Sequence, residues 1–335
     1  MNDFERKDSH AARAAWLYYQ EDMTQGDIAR ELGVSRSTVV RLLQRAKSEG
    51  LVQISLNVSA ATFEAERNLE RAFGIRTARI VPASRDDATQ KRWFGHVAAE
   101  MLTDMVKDDA VVAVSWGTTL QALADALTVP STAAGVEIVT LVGGLHNASR
   151  GANTFEVAKQ FGQHFNASVR ALHAPVYVQE EATALALAVD PGIQEGLAIA
   201  RNASIVVFSI GSMCADTTMF QLGYIAPDQQ EFLRRRGAVA DIACRWIDSD
   251  GKPVELPSTI NPVAITLEEL REIPLRLAVA GGASKQEAIL AGLRGGFVTH
   301  LVTDEQTASY LLASRTGASS DSARTRKRAG GERVS

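Results

Sequence analysis

Five stretches of this chain, Ala110–Val114, Val136–Val142, Ile205–Ile210, Leu275–Ala280 and Phe297–Val302, are mostly apolar yet do not alternate polar with apolar residues. A strand with one face in water alternates; a short apolar run without alternation suits a strand covered on both faces. Amphipathic segments separate the runs. The clearest carries Phe94, Val97, Ala98, Met101, Leu102 and Met105 on one helical stripe. Strand-length runs alternating with helices predict an α/β fold with a doubly wound, mainly parallel sheet. The runs are too short for a membrane helix, which needs about 20 apolar residues, so no membrane partner is expected. The polar N-terminus Met1-Asn2-Asp3-Phe4-Glu5 lacks the apolar stretch of a secretory leader. The two cysteines, Cys214 and Cys244, have no metal-like spacing, which predicts a reduced, cytoplasmic setting with neither disulfide nor metal.

Ligands of such sheets bind where strands end and loops begin. Ser115-Trp116-Gly117-Thr118-Thr119-Leu120 sets small and hydroxyl residues between a strand and a helix, whose N-terminus favours an anion. Further strand ends read Val142-Gly143-Gly144-Leu145, Ile210-Gly211-Ser212 and Val279-Ala280-Gly281-Gly282-Ala283-Ser284-Lys285. A glycine after a strand is by itself only a turn. Several such ends with hydroxyls and a lysine together predict an anionic or polyhydroxylated ligand, with no further cofactor.

The N-terminal residues have a different pattern. Ala11, Ala15, Tyr18 and Tyr19 share a helical face over residues 10–20. Thr24 can then cap a short helix through Leu32 that buries Ile28, Ala29 and Leu32, and Gly33 stands where a left-handed residue is wanted. Ser35 can cap a second helix with Val39, Leu42 and Leu43 inward. Two short helices joined at a glycine predict a helix-turn-helix, whose second helix reads the DNA major groove. Arg36, Ser37 and Thr38 would face base edges or phosphates. Arg41, Arg45 and Lys47 extend the basic stripe, with no acid from Val34 to Ser48. Thr24 and Ser35 complete the candidate DNA-contacting set. Gly50–Leu56 reads as a turn and strand forming a wing. The net charge of −4 excludes a protein that coats nucleic acid non-specifically, but not one with its basic residues in a single module.

Ala65, Leu69, Ala72 and Phe73 predict a connecting helix over 62–73, which would also serve dimerisation. The expected division is a DNA-binding domain over 1–57, an effector and oligomerisation domain over 58–313, and a Ser-, Gly- and Arg-rich disordered tail over 314–335.

The order Ser115-Trp116-Gly117-Thr118-Thr119-Leu120, Gly143-Gly144-Leu145, Asp190-Pro191-Gly192-Ile193, Gly211-Ser212, Asp241-Ile242-Ala243-Cys244-Arg245-Trp246-Ile247-Asp248, Ile273-Pro274 and Ala278-Val279-Ala280-Gly281-Gly282 resembles the SorC-type family of sugar-responsive bacterial regulators. With the helix-turn-helix, the likeness runs to about residue 313. It implies an effector domain related to sugar-phosphate isomerases and deaminases, dimers or tetramers of the chain, double-stranded operator DNA as partner, and control of a carbohydrate or polyol operon. Carried over by position, it implies an effector pocket of Ser115, Gly117, Thr118 and Thr119, with Gly211, Asp241, Arg245, Gly282 and Lys285 around it. Arg245 and Lys285 would meet anionic groups, while Asp241 and Asp304 would accept sugar hydroxyls. For Arg245 the alternative is an ion pair with Asp248 or Asp241. Ala240 stands where the family often has glycine, and the Trp116–Leu120 loop has no arginine, so a sugar is favoured over its phosphate.

A sugar-phosphate enzyme of the same fold is the competing reading. Isomerisation or deamination needs a placed acid and base. The related deaminases carry Asp-Gly-His after the strand matching Ile205–Ile210, whereas this chain reads Gly211-Ser212-Met213-Cys214-Ala215. His146, His164 and His173 lack a carboxylate nearby in sequence, and Cys214 has no visible activating partner. The expectation is a sensor without catalytic residues.

Overall fold

Thr24 and Ser35 begin two helices as their hydroxyls predict. In the computed structural model, which describes residues 3–19, 21, 23–48, 51, 60–128, 130–144, 153–214 and 217–315, α1 spans Asp3–Tyr19, α2 Gln25–Leu32 and α3 Arg36–Ser48. Thr24 Oγ1 accepts from the Asp27 N–H at 3.2 Å, and Ser35 Oγ from the Thr38 N–H at 3.1 Å. Each contact satisfies a helix-start donor that has no partner within its helix. Gly33 is left-handed (φ 64°, ψ 31°), and its N–H turns back to the Ala29 and Arg30 carbonyls. Ala11, Ala14, Leu17, Ile28, Ala29, Val39, Leu43 and Ala46 form the core of this module, with Leu32 and Leu42 half-buried at its edge. Apart from Leu51, the expected wing lies outside the described residues, as does the expected tail beyond residue 315; residues 314 and 315, placed in that tail, continue a helix.

The chain divides into two units, Met1–Val58 and Ser59–Ser335. The second begins with α4 (Ala60–Phe73), β1 (Thr77–Val81), α5 (Asp87–Met105), β2 (Val111–Val114), α6 (Thr118–Ala126), β3 (Glu137–Thr140), α7 (Thr154–Phe165) and β4 (Ser168–Arg170). Next come β5 (Tyr177–Val178), α8 (Glu181–Ala188), α9 (Pro191–Arg201), β6 (Ile205–Phe208), β7 (Gly211–Ser212), α10 (Thr218–Gln221) and α11 (Pro227–Arg235). The remainder holds β8 (Ala240–Ile242), β9 (Arg245–Ile247), β10 (Asn261–Pro262), α12 (Leu267–Glu272), β11 (Leu275–Val279), α13 (Gln286–Arg294), β12 (His300–Asp304) and a helix over 305–315.

Seven strands form one sheet in the order β1-β12-β11-β6-β2-β3-β4, and every pair in it is parallel. All five apolar runs are in it. The last is shifted: the strand is His300–Asp304, whereas the run began at Phe297. The connections fix where a crevice opens. From β2 the chain steps outward through β3 to β4, then returns to β6 on the other side of β2 and continues through β11 to β12. Connections therefore diverge between β2 and β6, the switch point at which open parallel sheets bind ligands. A three-stranded antiparallel ribbon, β7-β8-β9, stands beyond the end of β6, with Gly211 opposite Asp241.

Candidate functional site

A cavity of about 1160 Å³ lies at the carboxyl ends of the parallel strands. Five strand ends line it: Ser84 and Arg85 follow β1, Ser115–Thr119 follow β2, Ser209 and Gly211 follow β6, Gly281–Lys285 follow β11, and Asp304 closes β12. Phe94 and Trp116, both buried, give it apolar wall. Of the ten residues expected around an effector, nine therefore share one cavity: Ser115, Gly117, Thr118, Thr119, Gly211, Asp241, Gly282, Lys285 and Asp304.

Gly117 and Gly282 have backbones that L side chains rarely adopt, φ 122° and φ 98°. Nothing lies within 4 Å of where a Cβ would stand on either, so backbone conformation is what demands glycine. Gly117 precedes α6 without a side-chain cap, leaving the first N–H groups of that helix for a ligand.

The three charged residues of the set differ in what they can offer. Asp241, on β8, is buried and its Oδ1 has no hydrogen-bond partner. Burial pushes its carboxyl up to about 7, against the lowering pull of the Cys244 backbone N–H and the Lys285 ammonium. An unmet acceptor at a cavity wall suits a ligand hydroxyl. Asp304 is different. Its Oδ2 accepts from the Gly282 N–H at 2.6 Å and the Thr307 hydroxyl at 2.8 Å, while Oδ1 accepts from the Thr307 N–H at 2.9 Å. Its carboxylate thus holds the glycine loop and the start of the helix over 305–315 while it lines the cavity. Lys285 lines the same cavity, near enough to Asp241 to act on its charge.

Arg245 is the residue that the fold removes. Its Nε donates to the Ile265 carbonyl at 2.9 Å and its terminal nitrogen to the Ala264 carbonyl at 3.2 Å. Neither expected carboxylate pairs with it, and it does not line the cavity. The cause is the tight turn from β8 to β9: Ala243 and Cys244 both have positive φ, 51° and 66°, and reverse the chain between Asp241 and Arg245. Gly143 and Gly144 also lie elsewhere. A Cβ on Gly143 would come within 2.6 Å of the Ala174 carbonyl oxygen, so that glycine permits close chain packing.

Two lining residues had no motif to announce them. Ser209 sat inside an apolar run and read as strand, but β6 stops at Phe208, and the Ser209 hydroxyl is buried without a partner. Arg85 follows an edge strand, β1, whose partly exposed residues left no continuous apolar run. It is exposed on a loop pinned by Gln90, whose Oε1 accepts from the Ser84 N–H and whose Nε2 donates to the Pro82 carbonyl. Only the order of alternating elements pointed to that loop. No histidine lines the cavity, and among the described residues no group of three or more His, Cys, Asp or Glu could hold a metal.

At the helix-turn-helix, Arg36, Ser37 and Arg41 are exposed along α3, with Thr38 and Arg45 half-buried. Ser37 and Thr38 share the Ser35 hydroxyl at 2.8 and 2.9 Å. The Thr24 hydroxyl is committed to its own helix, since it also donates to Asp27 Oδ2 at 2.6 Å. The guanidiniums of α3 are thus the groups best placed for phosphates or bases.

Residues 59–313 match the family described as "Putative sugar-binding domain", and residues 8–57 match the MarR family. The deoxyribonucleoside regulator of Bacillus subtilis is 31% identical over 308 residues, covering 91% of this chain and 98% of its own. The transcriptional regulator LsrR of Escherichia coli K12 is 30% identical over 316 residues, covering 92% and 96%. The crystal structure of the full-length sorbitol operon regulator SorC from Klebsiella pneumoniae aligns with TM-score 0.69 and 25% identity, covering 91% of this chain and 99% of that one.

A helix-turn-helix joined to a parallel sheet with a crevice at its switch point defines a DNA-binding transcription regulator with a sugar-binding domain. The chain belongs to the SorC-type family of sugar-responsive transcription regulators.

Proposed function

We propose that this regulator controls a carbohydrate or polyol operon, and that a sugar or sugar phosphate in the crevice sets its operator affinity. One observation carries the reading: Asp241, with a buried carboxyl oxygen that lacks a partner, lines the same cavity as the Gly117 helix start and Lys285. A carboxylate suits hydroxyls, whereas an open helix N-terminus and an ammonium suit a phosphate or another oxygen-rich anion. Arg85 at the rim supplies the cation missing from the Trp116–Leu120 loop.

The chain acts in the cytoplasm as a dimer or tetramer, because one recognition helix reads one half-site and operators of this kind present two. It binds its effector without transforming it. The carboxylates at the cavity are Asp87, Asp241 and Asp304; Asp87 pairs with Lys91 and Asp304 holds the Gly282 and Thr307 donors, which leaves Asp241 and Lys285 to bind the effector. The test is a fluorescence titration of promoter DNA with and without sugars and their phosphates. A several-fold to hundredfold change in affinity, a coupling of about 1–3 kcal/mol, is expected. No change with any sugar, or steady turnover of one, overturns the reading.

A further inference from the structure

Among the described residues, six buried side-chain polar atoms lack a hydrogen-bond partner: Thr154 Oγ1, His164 Nδ1, Ser209 Oγ, Asp241 Oδ1, Arg276 Nε and Thr303 Oγ1. Only two of those residues, Ser209 and Asp241, line the cavity. Asp241 is already part of the effector site. Ser209 belongs to no motif, and it occupies a singular position. It directly follows β6, and the neighbouring Ser115 N–H donates to the Val207 carbonyl at 3.0 Å, so Ser209 sits where β2 and β6 finish side by side. That is the switch point itself. The buried Ile210 beside it points into the core, so Ser209 and Gly211 face the cavity as alternate residues of an extended segment.

We propose that Ser209 selects the effector, by hydrogen-bonding a hydroxyl that the ligand inserts between the ends of β2 and β6. This rests on the crevice being the effector site, and narrows the ligand to one that carries a hydroxyl at its innermost part. In the unliganded protein this hydroxyl makes no hydrogen bond to another protein group, so it holds no structural contact that a substitution would break. Rotation about χ1 swings the oxygen among three staggered positions, and leaving an unpartnered one breaks no bond. Serine therefore adds no protein contact before the ligand arrives and one hydrogen bond afterwards.

That asymmetry separates a recognition role from a structural one. Ser209→Ala removes an unmet group, so the unliganded full-length protein is expected to melt at the same temperature or higher. A structural serine would lower it. Thr303, fully buried in β12 and outside the cavity, is the matched control, and Thr303→Val is expected to hold or raise the melting temperature and leave ligand affinity alone. The probes are ribose, glucose and glucitol, each free and as its terminal phosphate ester, titrated calorimetrically into wild type and both variants. Ser209→Ala is expected to weaken the best probe about two- to tenfold, the worth of one net hydrogen bond. A Ser209→Ala protein that melts lower, or that binds the best probe as wild type does, overturns the assignment. If wild type binds none of the probes, the effector reading of the crevice fails for these sugars, while the unliganded melting comparison still decides whether the hydroxyl is structural.

Discussion

Replacing Asp241 by asparagine should change the pH dependence of stability in a way the structure specifies. Burial raises the Asp241 carboxyl from an ordinary 3.8 to about 7. Between those pH values the folded protein keeps a proton that the unfolded chain has released. Stability contributed by this group is therefore fully present below about 3.8, falls as pH rises, and levels off above about 7. The whole fall converts to about 4 kcal/mol, at about 1.4 kcal/mol for each tenfold change. Roughly 2 kcal/mol of it lies between pH 5.5 and pH 8.5. Asparagine keeps the shape and cannot ionise. Asp241→Asn should therefore gain about 2 kcal/mol on wild type as pH goes from 5.5 to 8.5, every other group titrating alike in both. Urea unfolding at several pH values, followed through the buried Trp116 and Trp246, reads that difference in the effector domain. A gap between variant and wild type that stays constant over this range would show that the carboxyl is not held neutral by burial, and the account of the cavity wall would be wrong.

Other outcomes follow from individual contacts. Gly117→Ala and Gly282→Ala should each cost roughly 1–3 kcal/mol, because their positive φ strains any Cβ though nothing crowds it; unchanged unfolding midpoints would refute the strain. Arg41→Ala should weaken operator binding, reduce the slope of log affinity against log salt by about one, and leave effector affinity unchanged, as read by fluorescence anisotropy at several salt concentrations. Arg245→Ala should destabilise the fold by about 1–3 kcal/mol through the unmet Ile265 and Ala264 carbonyls while the folded fraction binds effector normally; a selective loss of affinity would return Arg245 to the site.

What the amino-acid order disclosed, and what it hid, have physical causes. Central strands advertise themselves because cover on both faces excludes polar residues, so β2, β3, β6, β11 and β12 showed as apolar runs. The two edge strands did not. β1 alternates in burial and β4 has only three residues, none of them buried. Missing β1 concealed the loop that carries Arg85. Small residues and hydroxyls at helix starts are local signals, and the Gly117 and Gly282 ends appeared where expected. Side-chain direction is not local. Asp241 and Arg245 are four residues apart on one motif, yet the positive-φ turn at Ala243 and Cys244 sends one to the cavity and the other to the Ile265 carbonyl. Asp304 shows both kinds of signal: Thr307, three residues on, is a local partner, whereas the Gly282 N–H reaches its carboxylate only once β11 and β12 lie side by side.

The same topology says what kind of ligand can act as a signal. The cavity wall after β2 belongs to one branch of the doubly wound sheet, while the walls after β6, β11, β12 and β1 belong to the other. A ligand shifts a conformational equilibrium only by the difference in its affinity for the two states. Contacts confined to one branch move with that branch and contribute nothing to the difference. Contacts made to both, the open helix start at Gly117 on one side and Asp241 or Lys285 on the other, tighten or slacken whenever the branches shift. An inorganic anion held only at the Gly117 end should thus bind without changing operator affinity, whereas a sugar phosphate long enough to reach Asp241 should do both. Phosphate alone acting as a full effector would break that argument at its first step.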